Sequence, residues 1–434
     1  MSLIEQLKIR TVALLRWSER YTRTDMLYLT RGGFWLSVGQ GVALISGLVL
    51  AVAMANLIPP EVYGQYSFVV AASGIIGAFA LTGMGTAVTQ AVARGYEGAV
   101  RTGFRVSMIW SLGAALLALG ASMYYYLNGN ILLSLSFLPI AIATPIILSS
   151  SLYQAYLHGK KDFRAATIFS GAHQVIHLVT LVSTLLLTQN PAIIVTAHFA
   201  VEALVALAFY GATLYRYKPG SDTDPKTLSY GKHLSFMNVL SATAAHLDKI
   251  LVFHHIGATQ LAIYAFAIAP LKKLKLPENT IANLALPKLS EHTLKELKKT
   301  LPKKVALLFF VMLGAVVTYI LFAPYLFQLL FPQYMESVLY SQVYALTLLF
   351  TPTMLFNKAL VAHMKTKELY FIRTIIPLVS VTGYVVLLPI FGIWGVLATA
   401  LLAHAFGSSL STYLFYRAKC VNSTTTEQQE VSQA

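Results

Sequence analysis

From Gly33 onward, apolar runs of membrane-spanning length alternate with short polar gaps. A run of about 20 apolar residues at helical rise crosses a bilayer's hydrocarbon core. The pattern predicts about twelve transmembrane helices: 33–58, 63–89, 103–127, 131–157, 165–187 and 191–215, then 233–256, 259–286, 305–331, 338–363, 371–389 and 393–416. Between the sixth and seventh runs lies a connector, 217–232, whose Pro219, Gly220, Asp222, Asp224 and Pro225 have the composition of a flexible loop. The expected fold is an all-α integral membrane protein of two six-helix lobes, 33–216 and 233–419.

The polar gaps are not equivalent. Arg94, Arg101 and Arg105 follow the second run, Lys160, Lys161 and Arg164 the fourth, and Arg216, Lys218, Lys226 and Lys232 the sixth. A lysine-rich segment from Lys288 to Lys304 follows the eighth, Lys365, Lys367 and Arg373 the tenth, and Arg417 and Lys419 the twelfth. The gaps after the first, third and eleventh runs hold no lysine or arginine. Short basic loops stay cytoplasmic, which places both termini inside. Most of the +15 formal charge is thereby an orientation signal, and no nucleic-acid partner is expected.

Of 434 residues, 56% are hydrophobic and 11% charged, a membrane composition. The single cysteine, Cys420, excludes an internal disulfide or thiolate metal site. Residues 1–32 lack a signal-peptide core and read as a cytoplasmic amphipathic, basic arm, while 420–434 reads as a disordered tail. Sliding the chain by about 198 positions places Gly33 on Gly231, Ser37 on Ser235 and Tyr66-Ser67-Phe68 on Tyr264-Ala265-Phe266, a faint parallel repeat of the kind that sets a pathway between halves. The loops are too short for a catalytic domain, and no Gly-rich loop ends in Gly-Lys-Ser/Thr, so neither an enzyme nor a nucleotide-driven pump is expected.

Ionisable residues inside the spans require a reason. Lys272 and Lys275 share a helix face with Glu278, whereas Lys273 points about 100° away. These lysines either line a cavity or snorkel to the inner interface. Asn238, Ser241, Ala245, Asp248 and Val252 form one helical stripe in span seven, with Lys249 and His246 beside Asp248. His198 and Glu202 are four apart in span six, as are His173 and His177 in span five; polar lining or interhelical hydrogen bonding is the expected role, with no metal site. Lys358 in span ten lies near the cytoplasmic end, and Arg31 at the entrance to span one shares its choice between anchoring and cavity lining.

Several segments resemble the polysaccharide-lipid flippases of the multidrug/oligosaccharidyl-lipid/polysaccharide exporter superfamily. They are Leu57-Ile58-Pro59-Pro60-Glu61-Val62-Tyr63-Gly64-Gln65-Tyr66-Ser67-Phe68, the glycine turn Leu81-Thr82-Gly83-Met84-Gly85, Leu247-Asp248-Lys249-Ile250 with Gly257 and Ile263-Tyr264-Ala265, and Ala285-Leu286-Pro287-Lys288-Leu289-Ser290. The resemblance implies a V-shaped pair of lobes opening alternately to each side of the cytoplasmic membrane. It implies a polyprenyl-pyrophosphate-linked oligosaccharide as substrate, for O-antigen or capsule synthesis, alongside membrane lipids, glycosyltransferases and a polysaccharide polymerase.

On that reading Lys249, Lys272, Lys273, Lys275 and Lys358 attract the anionic headgroup, because low-dielectric walls strengthen their field. Asp248, Glu202 and Glu278 are the candidates for coupling to a proton or sodium gradient; no other cofactor is expected. The alternative is an ion-coupled drug antiporter on the same fold. The family's drug exporters keep acidic groups in the first lobe, where Glu202 is the one deeply placed acid of this chain.

Overall fold

The computed structural model of the chain describes residues 26–274, 289–290 and 292–418. Lys275, Glu278, Cys420, the arm up to residue 25 and the tail lie outside the described residues. Within them the chain is all-helical, and ten helical segments are long and apolar enough to cross a membrane. Their outward faces carry large apolar side chains such as Leu187, Leu329 and Phe310. A water-facing surface would not hold so much exposed apolar area, whereas hydrocarbon tails are a suitable solvent for it. The chain is a multi-pass membrane protein.

The helices pack into two units, one of Met1–Leu57 and Ser73–Val239, the other of Ile58–Ala72 and Leu240–Ala434. The boundary therefore falls inside the second and seventh spans. In the first unit, α1 (Met26–Leu57) is followed by α2 (Pro60–Ala78), which starts in the second unit and ends in the first. The expected continuous span 63–89 is broken here, because α2 stops at Ala78 and a turn precedes α3 (Met84–Ala93). The break has a tertiary cause. The Gly83 N–H donates to Ser235 Oγ at 2.9 Å, and a Cβ on Gly83 would lie 2.6 Å from Leu234 Cβ. Only glycine lets the two backbones approach so closely.

Helices α4 (Ala99–Leu127) and α5 (Ile131–Ser150) form a hairpin through Gly129, whose φ of +74° suits glycine. Asn130 caps α5 by accepting from the Leu133 N–H. The buried face of α4 is a run of small residues from Gly103 through Ser107, Ser111 and Ala114 to Ser122, and Ser122 Oγ donates to the Ser134 carbonyl at 2.9 Å. Small side chains bring membrane helices close enough for dispersion and interhelical hydrogen bonds to hold them. Helix α6 (Leu152–Gly159) continues α5, and α7 (Phe163–Leu187) and α8 (Pro191–Tyr217) follow.

The connector differs from the expected flexible loop 217–232. Helix α9 (Pro225–Ile256) begins within it, with Pro225 at its first position. The remainder is tied to the α3–α4 turn: Gly98 N–H donates to the Asp222 carbonyl at 2.9 Å and Arg94 pairs with Asp224 at 2.8 Å. Beside it, Lys160 meets Glu97 at 2.6 Å, and the Tyr217 hydroxyl donates to Asp162 at 2.6 Å. The Lys160 hydrogen bond holds the Glu97 carboxyl below its ordinary range. For Asp162 burial pushes upward, but the bonds from Tyr217 and the Ala165 N–H outweigh it and the net direction is down. Both carboxylates hold protons less well folded than unfolded, so their contribution is present at neutral pH and is lost as pH falls through and below the ordinary carboxylate range. Thermal unfolding of wild type should weaken on acidification toward about pH 3, and Glu97→Gln, less stable at pH 7, should converge with it there. Parallel curves across that range would remove this role for Glu97.

The second unit holds α10 (Ala258–Leu274), α11 (Leu294–Leu330), α12 (Ser337–Ala345), α13 (Met354–Ala362), α14 (Thr366–Phe391) and α15 (Ile393–Arg417). Expected span eight, 259–286, is described only as far as the end of α10. Helix α11 starts well before the expected residue 305, under a Thr293/Glu296 capping box, so the lysine-rich stretch is helical from Leu294 onward. From it Lys298 Nζ donates to the carbonyls of Tyr416 and Ala418, satisfying the C-terminal end of α15. Expected span ten is α12 and α13 joined by a 3-10 segment, Leu346–Thr353, containing Pro352. Proline removes a helical donor, and the tighter winding absorbs the loss.

Candidate functional site

Helices α9 and α10 meet through a tight turn at Gly257, with φ +107°. The turn brings Asp248 against Tyr264. Asp248 is 5% exposed; its Oδ2 accepts from the Tyr264 hydroxyl at 2.7 Å and its Oδ1 from the Lys249 N–H at 2.8 Å. Both carboxylate oxygens are thus occupied, and Tyr344 and Tyr384 lie within reach of the same charge. A buried carboxylate needs such donors, since an unpaired one would be costly. The stripe expected on α9 divides accordingly: Asp248 and Val252 are buried, while Asn238, Ser241 and Ala245 are exposed.

Lys249, on the adjacent face, is half-buried, with Nζ 3.5 Å from Ser67 Oγ of α2, a distance at the outer limit of a hydrogen bond. Lys249 and His246 both lie within electrostatic range of Lys272 on α10. Lys272 and Lys273 occupy the last described turn of that helix and are exposed. Lys249 and His246 on α9 and Lys272 on α10 thus belong to the same unit and to two consecutive helices. The turn at Gly257 folds the two helices back on one another, which is why residues 23 positions apart in sequence act on each other.

Lys358 is elsewhere in the same unit. It lines a cavity of about 430 Å³ with Asn357, Thr351, Ser380, His404 and Ser408, contributed by α13, the 3-10 segment, α14 and α15. Glu202 is in the other unit, on α8, facing His173 and His177 of α7. Side-chain placement of Arg31, Lys275 and Glu278 falls outside the described residues.

The helix faces were legible in the sequence, but their partners were not. Tyr264 belongs to one of the motifs quoted above, yet nothing in its spacing marks it as the donor to Asp248. Ser67 is visible in the sequence as part of the repeat and of the first quoted motif, but nothing there marks it as the neighbour of Lys249.

Residues 29–292, which include Asp248, Lys249 and Lys272, match the family model described as "Polysaccharide biosynthesis protein". The "Putative O-antigen transporter" of Shigella flexneri is 21% identical over 323 residues, covering 68% of this chain and 75% of the relative. Among solved structures, the inward-facing conformation of a multidrug resistance MATE family transporter of the MOP superfamily superposes with a TM-score of 0.66 at 15% identity, covering 89% of this chain and 98% of that one. The lipid II flippase MurJ, in an inward closed conformation, superposes with a TM-score of 0.61 at 15% identity, covering 88% and 87%. These two likenesses establish the transporter fold. With more than half its length, Asp248, Lys249 and Lys272 among it, inside the family model, the chain belongs to the polysaccharide biosynthesis protein family.

Proposed function

We propose that this protein is a flippase that carries polyprenyl-pyrophosphate-linked oligosaccharide units across the cytoplasmic membrane for surface polysaccharide synthesis. The observation that carries the reading is a half-buried lysine, Lys249 on α9, within electrostatic range of a second lysine, Lys272 on α10, in a chain of the polysaccharide biosynthesis family. Two cations held within range of each other repel, and in a poorly screened setting that repulsion is relieved by an anion. A pyrophosphate headgroup supplies one. Asp248 does not neutralise the pair in full, because its single negative charge stands against two ammonium groups. Its role is to hold α9 against α10 and so to set the direction of Lys249.

The remaining parts follow from the same chemistry. Hydroxyl and amide groups accommodate sugars, and the polyprenyl chain stays in the hydrocarbon. Translocation makes and breaks no covalent bond, so the work is binding on one side and release on the other. Glycosyltransferases supply the substrate and a polymerase consumes it.

Depleting the protein in its own cells should cause lipid-linked oligosaccharide to accumulate with its sugar on the cytoplasmic side, with surface polysaccharide lost in parallel. Normal surface polysaccharide on depletion, together with new sensitivity to cationic drugs, would instead establish the drug-antiporter reading.

A further inference from the structure

The turn between α6 and α7 in the first unit and the turn between α13 and α14 in the second have the same backbone. In the first, Lys161 is left-handed at φ +58° and the Asp162 N–H donates to the Leu157 carbonyl at 3.0 Å. In the second, Met364 is left-handed at φ +50° and the Lys365 N–H donates to the Leu360 carbonyl at 3.0 Å. Asp162 and Lys365 each stand just before the next helix, at φ −86°, ψ 71° and φ −75°, ψ 70°. Their side chains are opposite in charge. Asp162 accepts from the Ala165 N–H at 2.9 Å and from the hydroxyl of Tyr217, the last residue of α8. One carboxylate thereby joins the start of α7 to the end of α8. Lys365 can only donate, and the last residue of α15, in the place of Tyr217, is Arg417.

We propose that the second unit takes the missing oxyanion from the membrane: the phosphate of an anionic phospholipid of the inner leaflet binds Lys365, Lys367 and Arg417 in the cavity between the α13–α14 turn and the end of α15.

The cavity measures about 890 Å³, the size of a small-ligand site. Its charged lining is Lys365, Lys367, Arg417 and Glu368, an excess of two positive charges beside the apolar Leu410 and Leu414. Arg417 lies along the wall, its guanidinium 6.0 Å from the Tyr413 ring and its Nη1 3.5 Å from the Tyr413 hydroxyl. The end of α15 does not require it, because Lys298 already donates to the carbonyls of Tyr416 and Ala418. A guanidinium offers phosphate two parallel donors, and lysine adds a point charge beside it. The rim of the cavity is apolar: Met364 is 83% exposed, and Phe371 and Tyr413 are exposed with it. Free phosphate brings nothing to cover those groups, whereas a phospholipid brings its acyl chains. Short basic loops lie on the cytoplasmic side, where anionic lipids give the leaflet a negative surface potential.

The first unit does not need such a lipid at the matching turn. Its oxyanion is built in as Asp162, and the neighbouring Lys160 is already held by Glu97 at 2.6 Å. In the second unit the bound phosphate ties the start of α14 to the end of α15, as Asp162 and Tyr217 tie α7 to α8. None of the lining residues belongs to the Lys249 and Lys272 pair, so the lipid site stands or falls separately from the flippase reading.

The test titrates purified full-length protein in detergent with phosphatidylglycerol, or with phosphatidylcholine as the neutral control, and counts bound lipid by native mass spectrometry. Wild type should bind phosphatidylglycerol the more tightly of the two. Replacing Lys365 and Arg417 together by glutamine should weaken phosphatidylglycerol by about 25-fold, or about fivefold for each basic side chain near a membrane surface. Replacing Lys303 and Lys304 by glutamine removes the same charge from exposed positions on α11 and should leave the affinity unchanged. Equal loss in both double variants, or no loss in the first, overturns the site. Displacement of the lipid by an equal concentration of inorganic phosphate, or tighter binding of undecaprenyl phosphate than of phosphatidylglycerol, overturns the assignment to bulk phospholipid. Lys365→Asp restores the carboxylate of the first unit. It should lose the preference for phosphatidylglycerol yet unfold, without added lipid, at a temperature no lower than wild type. A lower midpoint overturns the view that this position lacks an oxyanion.

Discussion

Replacing Lys249 and Lys272 together by glutamine lowers the apparent affinity for the lipid-linked substrate by about 100-fold. The figure follows from about 1.4 kcal/mol for each lost cation–phosphate attraction, a tenfold effect apiece. That energy is modest: two unit charges 4 Å apart gain about 4 kcal/mol at an effective dielectric constant of 20. The expected loss for one lysine alone is about tenfold, and arginine at either position should retain most of the activity, since positive charge is the requirement. The measurement is translocation rate against substrate concentration in proteoliposomes, with surface polysaccharide in cells as a second readout. Wild-type transport by the double glutamine variant, at equal protein level, would remove these lysines from the headgroup site. Asp248→Asn should have a smaller effect, because it keeps an oxygen for Tyr264 while disturbing the direction of Lys249.

The second large effect concerns stability. Gly64→Ala in α2 should destabilise the protein by at least about 2 kcal/mol, at or above the usual cost of overpacking. A Cβ at Gly64 would lie 1.9 Å from the Ala258 carbonyl oxygen and 2.5 Å from its carbon. Those are backbone atoms at the start of α10, so no side chain can swing away. The neighbouring rings, Tyr63 against Phe266 at 4.5 Å and Phe68 stacked on Phe253 at 4.0 Å, tie the same stretch of α2 into the second unit. Relief would therefore require moving α2 as a whole. Gly314→Ala in α11 is the control: nothing lies within 4 Å of its Cβ position, and alanine should raise helix stability by up to about 1 kcal/mol. Thermal unfolding in detergent checks both. Equal midpoints for Gly64→Ala and wild type would show that the close approach is not a constraint.

Gly64 also explains why the Tyr63-Gly64-Gln65-Tyr66-Ser67-Phe68 segment stands out in the linear chain. Its glycine marks a close approach, its aromatics a packing seam, and Ser67 the neighbour of Lys249. The sequence presents these residues side by side but not their contacts. The glycine turn at 81–85 is a parallel case. It is readable as a motif, yet the interruption of span two depends on Ser235, 152 residues away, to accept the Gly83 N–H.

The membrane class, the all-helical architecture of the described residues and the limits of several spans, such as those ending at Leu187 and beginning at Pro191 and Ile393, were legible in the chain before folding. They are set by local quantities: how many consecutive residues are apolar, and where glycine, proline and basic residues interrupt them. Helix faces were legible for the same reason, since residues four apart always share one. The pairs His173 with His177 and His198 with Glu202 could be read this way, each on its own helix. That the two pairs meet, that Asp248 is engaged by Tyr264 and that Lys358 lines a cavity between α13, the 3-10 segment, α14 and α15 are facts of tertiary packing. Helical periodicity repeats every 3.6 residues and carries no information about which neighbour a face will find. That choice is made by close approaches at particular glycines and by polar groups that must be satisfied where no water can reach them.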